Sequence, residues 1–361
     1  MRIFMSNIIN LEKCAALFRC FLFDLFILLS GCDGSRDNQT VKSIYIGNVQ
    51  DIDKIMADIN TYGANAVVID VLDDFGLLKK GIEVPSIKKN TIYLEDYDLQ
   101  KITKILKDKG IYLIARVVAL KDKDVTKPDF CIKNEDGSIW QDKEKLSWFS
   151  PCDKNVWIYL KEISLKAIEM GFDEVQLDYV RYSSYLDKKD LDQNENCRIN
   201  VINELISFLC DAIHQAGGKL SVCVFGCTIE GAVDKDDGKK LTKRCSAILG
   251  QDFVKIAQKV DFICPMIYPS HYPDGVPCGI KDPDLHPHEV VRTNMQLIEK
   301  MLKNQSVKAI IRPYLQAFTA KWLRKYIPYK KREICEQIKA VNESGFSQWG
   351  LFNMSGKYPS E

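Results

Sequence analysis

An excess of charge of either sign is missing from this chain. Fifty basic residues stand against forty-nine acidic ones, giving a net charge of +1 over 361 residues. That balance excludes the electrostatic footprint of a nucleic-acid binder or of a protein held on an anionic membrane surface. No nucleic-acid partner is expected, and the substrate is expected to be uncharged or weakly charged. No CxxC pair occurs among the thirteen cysteines, so a disulfide framework is not the default reading. Several of them, Cys210, Cys223, Cys264 and Cys335, fall inside apolar patterns and read as small core hydrophobes. Cys131 and Cys152 flank one long loop and leave a disulfide open there. No glycine-rich phosphate loop follows the first strand-like run, where IYIGNVQDIDK stands instead, which makes an open doubly wound sheet the weaker fold alternative. Histidine is scarce, with four in all. His271, His286 and His288 lie near Asp274, Asp282 and Asp284, but their spacing matches no helical ligand pair. Pro269, Pro273, Pro277, Pro283 and Pro287 make that stretch a rigid loop, so neither metal nor cofactor is expected.

What is present begins with an unusual N-terminus. Lys13 and Arg19 precede an apolar run from Phe21 to Leu29, too short to span a bilayer, that ends in Leu29, Ser30, Gly31 and Cys32. Small residues directly before a cysteine are the mark of a lipoprotein signal. Residues 1–31 are therefore expected to be a cleaved signal peptide and Cys32 the lipidated first residue of the mature chain. Residues 32–40 would be a flexible polar tether. The expected location is extracytoplasmic, with the membrane as a partner through the anchor.

From Val41 onward, apolar runs of strand length alternate with amphipathic helical patterns. Eight strands are predicted, at Ser43–Val49, Ala66–Leu72, Tyr112–Leu120, Glu174–Arg181, Leu220–Phe225, Phe262–Tyr268, Ala309–Gln316 and Gln348–Asn353. Seven helices lie between them, and Gly63, Gly110, Gly171, Gly217 and Gly345 follow helical runs where a left-handed residue closes a helix. The pattern predicts a (β/α)8 barrel over residues 41–358, without the usual last helix and with the gap between strands eight and one covered by the tether or left open. The long segments after strands two to six, such as Asp73–Asp98, Lys121–Asp153 and Gly226–Gln251, would build a site at one face.

The run GFDEVQLDYVR, Gly171–Arg181, carries Gln176 and Asp178 inside a strand that should be apolar. Burying a carboxylate costs several kcal/mol unless it is paired or wetted by a cavity. Strict alternation puts Gln176, Asp178 and Val180 on one face and Val175, Leu177 and Tyr179 on the other. Polar residues also gather at other strand ends: Asp70, Asp73 and Asp74, then Arg116, Arg181, Tyr268, His271, Arg312, Tyr314, Gln316, Asn353 and Ser355. Such a ring suits carbohydrate chemistry, which needs a proton donor for the leaving oxygen and a second carboxylate as nucleophile or base. Asp178 is the candidate nucleophile, kept ionised by Arg116 or Arg181. Glu230 is the candidate acid, with Asp70 and Asp73 as alternatives. The candidate substrate-binding residues are Asp70, Asp73, Arg116, Arg181, Tyr268, His271, Arg312, Gln316 and Asn353.

Six stretches carry a family resemblance: Asn65–Gly76, Gly110–Asp122, Gly171–Tyr182, Pro265–Tyr272, His286–Val291 and Ile311–Thr319. Together they resemble a bacterial family labelled "putative glycosyl hydrolase", a (β/α)8 barrel distantly similar to the α-amylase clan. The resemblance implies a glycoside hydrolase with the strand-four aspartate, Asp178, as nucleophile. Four positions depart from what it implies: Gln176 for an arginine, Cys223 for the strand-five acid, Leu72 for a lysine and Ala317 for an aspartate. Those departures move the acid elsewhere, or mark a barrel that binds glycans without cleaving them.

Overall fold

The computed structural model describes residues 40–47, 51–85, 93–94, 98–186, 195–229 and 245–361. The expected signal peptide, Cys32 and almost all of the tether lie outside these residues, as does Glu230. Eight staves form the barrel: β1 (Lys42–Gly47), β2 (Ala66–Leu72), β3 (Tyr112–Val118), β4 (Glu174–Asp178), β5 (Lys219–Phe225), β6 (Phe262–Ile267), β7 (Ile310–Ile311 and Tyr314–Gln316) and β8 (Trp349–Phe352). All neighbours run parallel, and β1 closes the ring by pairing Ile44 with Val67 of β2 and with Leu351 of β8. The open doubly wound sheet is thereby excluded. Stave β7 is split where Pro313 has no N–H to give to a ladder.

Helices α1 (Ile52–Tyr62), α2 (Leu99–Asp108), α3 (Lys154–Glu169), α4 (Glu195–Gln215), α5 (Phe253–Ala257), α6 (Pro287–Leu302) and α7 (Lys331–Glu343) lie between the staves. Four of them start on an aspartate, Asp51, Asp98, Asp153 or Asp252, whose carboxylate accepts from backbone N–H groups of the first turn. Residues alternate across each stave: Val175 and Leu177 of β4 join the outer core against the helices, with Ile163 of α3 and Ile206 of α4. Each such side chain, fully buried, stabilises the fold by about 1.5–3 kcal/mol. The opposite face of β4 turns Glu174, Gln176 and Asp178 into the barrel, as expected of polar residues in this strand.

Three expectations change. The seam between β8 and β1 is not open, because the two staves pair and the segment after β8 packs across it. The Tyr358 hydroxyl donates to the carbonyls of Tyr45 on β1 at 2.6 Å and Leu351 on β8 at 3.1 Å, while Tyr62 of α1 donates to the Pro359 carbonyl. Cys131 and Cys152 are not joined in a disulfide: Cys131 turns to the Lys127 carbonyl and Cys152 to the Tyr182 hydroxyl. Cys335 is exposed, because on α7 the core-facing position falls to its neighbour Ile334.

Candidate active site

The C-terminal mouth of the barrel opens into a cavity of about 390 Å³. Register decides what reaches it. Pairing sets Asp70 of β2 beside Arg116 of β3, and Val118 of β3 beside Asp178 of β4. Arg116, one layer below Asp178, therefore extends its long side chain upward to meet that carboxylate. Its Nε and Nη2 donate to Asp178 Oδ2 at 2.9 and 2.7 Å, and Nη1 donates to Asp70 Oδ1 at 2.9 Å. Both terminal nitrogens also reach Asp74 Oδ2 at 3.1 Å. Burial disfavours the Arg116 cation, but three carboxylates outweigh it and raise its pKa well above the ordinary value. Position 176, where the resemblance led to the expectation of an arginine, holds Gln176, and it is Arg116 of the neighbouring stave that binds Asp178.

The carboxylates are supported in turn. Asp70 accepts from the Tyr45 hydroxyl at 2.6 Å, and Asp74 accepts from Lys121 Nζ at 2.9 Å. Burial alone would raise the Asp74 carboxyl, yet Arg116 and Lys121 hold it below its ordinary value of 3.8. Asp178 Oδ1 accepts from the Tyr179 backbone N–H at 2.8 Å. At Tyr179 the expected alternation fails. The strand ends at Asp178, and Tyr179 takes φ +51°, a left-handed conformation that is strained for an aromatic residue. The turn brings Tyr179 into the cavity wall, where Lys121 Nζ lies 4.3 Å from its ring centre, and sends Val180 to the outer core.

Across the cavity the wall is aromatic. Tyr268 stacks on Phe352 with ring centres 5.7 Å apart and meets His271 edge-on at 5.3 Å. Burial lowers the His271 pKa from its ordinary 6.5, so the ring is neutral at pH 7, with Nδ1 3.0 Å from the Ser270 hydroxyl. Tyr272 packs against Gly226 at the end of β5, where a Cβ would collide with the tyrosine hydroxyl. Cys223 lines the cavity floor at the expected position of the strand-five acid, and burial raises its thiol pKa far above the ordinary value. It supplies neither an acid nor a thiolate at neutral pH.

Of the residues predicted from sequence, Asp178, Arg116, Arg181, Tyr268 and His271 line the cavity. The others do not. Asp70 stands behind Arg116 as its partner. Asp73 accepts from the Phe75 and Leu77 N–H groups of its own turn, and burial raises its pKa. Arg312 lies deep in the barrel, 1% exposed and bound to Glu174, which is wholly buried and also accepts from the Tyr112 hydroxyl at 3.2 Å. Gln316 is spent on Ser270 N–H, Asp284 and the Phe318 carbonyl, and Asn353 on the carbonyls of Ala317 and Lys357. These are packing roles, and inward polarity alone did not separate them from the mouth. Asp74, named in the polar ring without a role, joins the cavity-lining residues, and Lys121, Tyr179 and Tyr272 complete the site; the KDKD run after strand three was the available signal for Lys121. Among the described residues no group of His, Cys, Asp or Glu is arranged to hold a metal ion. None of the described helices is long and apolar enough to cross a membrane.

A closed (β/α)8 barrel with carboxylates and guanidinium groups facing an aromatic wall at its C-terminal mouth belongs to the class of barrels whose chemistry sits on the βα loops. The chain belongs to the family described as "Putative glycosyl hydrolase domain", whose model matches residues 41–358. Its fold is similar to that of the PgaB (BpsB) glycoside hydrolase domain from Bordetella bronchiseptica, with a TM-score of 0.59 and 12% identity over 88% of this chain and 94% of that one. It is also similar to an α-galactosidase from Thermus thermophilus in complex with stachyose, with a TM-score of 0.52 and 10% identity over 88% of this chain and 62% of that one. A hypothetical protein from Ruminiclostridium thermocellum is 29% identical over 50% of this chain and 96% of its own, with a TM-score of 0.42. No curated protein matches the sequence.

Proposed function

We propose that the chain is a glycoside hydrolase acting on an extracytoplasmic polysaccharide or oligosaccharide, with Asp178 as nucleophile, held at the membrane by a lipid on Cys32. The observation that carries the reading is the grip of Arg116 on Asp178 at the cavity wall, where two guanidinium N–H groups donate to one carboxylate oxygen and fix its orientation. In this reading Asp178 attacks the anomeric carbon, the glycosidic C–O bond breaks, and the leaving oxygen takes a proton from an acid. Water then releases the sugar and returns Asp178. Asp74 is unsuited to be that acid, since Arg116 and Lys121 favour its ionised form. Glu230 remains the candidate: it follows Ile229, three residues after the cavity-lining Cys227. The test is release of reducing sugar from a panel of glycans, where Asp178→Asn should lower kcat by more than about a thousandfold. Unchanged turnover would sink the assignment.

A second reading, a barrel that binds glycans without cleaving them, is favoured by one feature of the site. Beside Asp178, the carboxyl that lines the cavity among the described residues is Asp74, which Arg116 and Lys121 hold in its ionised form, and Cys223 and Ala317 stand where the family pattern expects acids. Glycan binding without turnover, with activity appearing only in Cys223→Asp/Ala317→Asp, would decide for it.

A further inference from the structure

Two guanidinium groups line the cavity, and the protein matches the charge of one. Arg116 meets three carboxylates. Arg181, 7% exposed, forms no ion pair among the described residues, and Asp178 and Asp142 favour its charge only from beyond ion-pair distance. Its Nη1 donates to the Tyr182 carbonyl at 3.0 Å, Nε and Nη2 make no hydrogen bond among the described residues, and the side chain lines the cavity. Rings surround the group, with Phe225, Trp148 and Tyr179 centred 4.3, 4.8 and 5.1 Å from its carbon. Their faces offset part of the desolvation of a cation. Burial nevertheless lowers the Arg181 pKa from its ordinary value, the opposite of its effect in balance at Arg116.

An arginine stays charged at any working pH, so a buried one with an idle fork is costly until something fills it. Its neighbour on the wall offers no relief. Gln251 is spent on the carbonyls of Cys223 and Val180 and on the Phe225 N–H. The idle edge, Nε with Nη2, is the same edge with which Arg116 grips Asp178. That edge is planar and suits an oxyanion, a carboxylate best of all. We propose that Arg181 forms an anion subsite of the cavity, and that its occupant is the carboxylate of an acidic sugar, a uronic acid unit of the glycan. The inference rests on the carbohydrate reading above and replaces the expectation of an uncharged substrate.

Full-length protein and its Arg181→Gln and Arg181→Met variants are to be titrated with glucuronate and galacturonate. Each is compared with its neutral parent sugar and with the parent's 6-sulfate, by ligand-observed NMR and thermal shift at low salt. Uronates should bind roughly ten- to hundredfold more tightly than the neutral sugars and raise Tm. The preference should vanish in both variants and weaken as salt is added. Both variants should melt at or above the wild-type temperature, since each loses an unmatched buried charge. Absent or equal binding of uronates, or a uronate preference that survives Arg181→Gln, overturns the subsite; sulfated sugars binding above uronates overturns the carboxylate. Because the readout is binding, a uronate preference without any hydrolysis sinks the hydrolase reading alone. Cleavage of neutral glycans without a uronate preference sinks this inference alone.

Discussion

Asp74 and Asp73 are adjacent in sequence and opposite in electrostatics. Asp74 faces Arg116 and Lys121, whose charges outweigh burial and lower its pKa; Asp73 faces its own turn, where burial outweighs two backbone donors and raises it. The sign of the stability effect follows. A carboxyl whose folded pKa lies below its unfolded value stabilises the fold above the unfolded value and loses that contribution as pH falls through the folded one. For Asp74 that loss begins below its ordinary 3.8. Asp74→Asn should therefore flatten the fall of Tm with acid in this range, relative to wild type, in melts taken stepwise from pH 5 downward. An unchanged slope would mean that Asp74 is not held by the two cations. The pair also shows what spacing conceals: two neighbouring aspartates read alike in sequence, and only the fold tells which one turns toward the arginine.

At the scale of elements, Gln316 on β7 joins stave to helix. Its backbone N–H donates to Gln337 Oε1 of α7 at 3.0 Å, and Gln337 Nε2 returns a bond to its carbonyl at 2.7 Å. Its own amide holds Ser270 and Asp284 at 3.0 Å each. Gln316→Ala takes the side-chain partner from the buried Ser270 N–H and from Asp284 Oδ1 and should destabilise the fold by about 1–3 kcal/mol in denaturant melts. Substrate affinity should stay unchanged at temperatures where the variant is folded, which separates packing from the substrate contact expected from sequence. The staves themselves were readable, since apolar runs, alternation and helix-closing glycines are local signals; Gly63, Gly110, Gly171, Gly217 and Gly345 all take positive φ. The partnerships were not. That Arg116 serves Asp178 depends on the β3–β4 register, and that Tyr179 enters the cavity depends on a backbone dihedral that breaks alternation. Arg312 and Asn353 illustrate the same limit, because an inward polar residue reads identically whether it lies deep in the barrel or in a turn beyond its end.

On the scale of the whole molecule, the barrel and the N-terminal segment make separate claims. The family match covers the barrel alone, whereas the proposed anchor depends on Leu29, Ser30, Gly31 and Cys32. Cys32→Ser expressed in a bacterial host should shift the protein from the membrane fraction to the soluble extracytoplasmic fraction, followed by immunoblot. Wild-type protein found only in the cytoplasm would remove both anchor and export. The cavity has a property that belongs to no single residue. Its charged groups come from β2 to β4 and the segments that follow them, and most of its rings come from β6 to β8, with Tyr179 and Phe225 added after β4 and on β5. A pyranose is itself two-sided, with hydroxyl edges and C–H faces. A cleft with unlike walls makes the two ways of inserting such a ring unequal in energy, so the fold imposes a facing direction on its guest before any bond is broken.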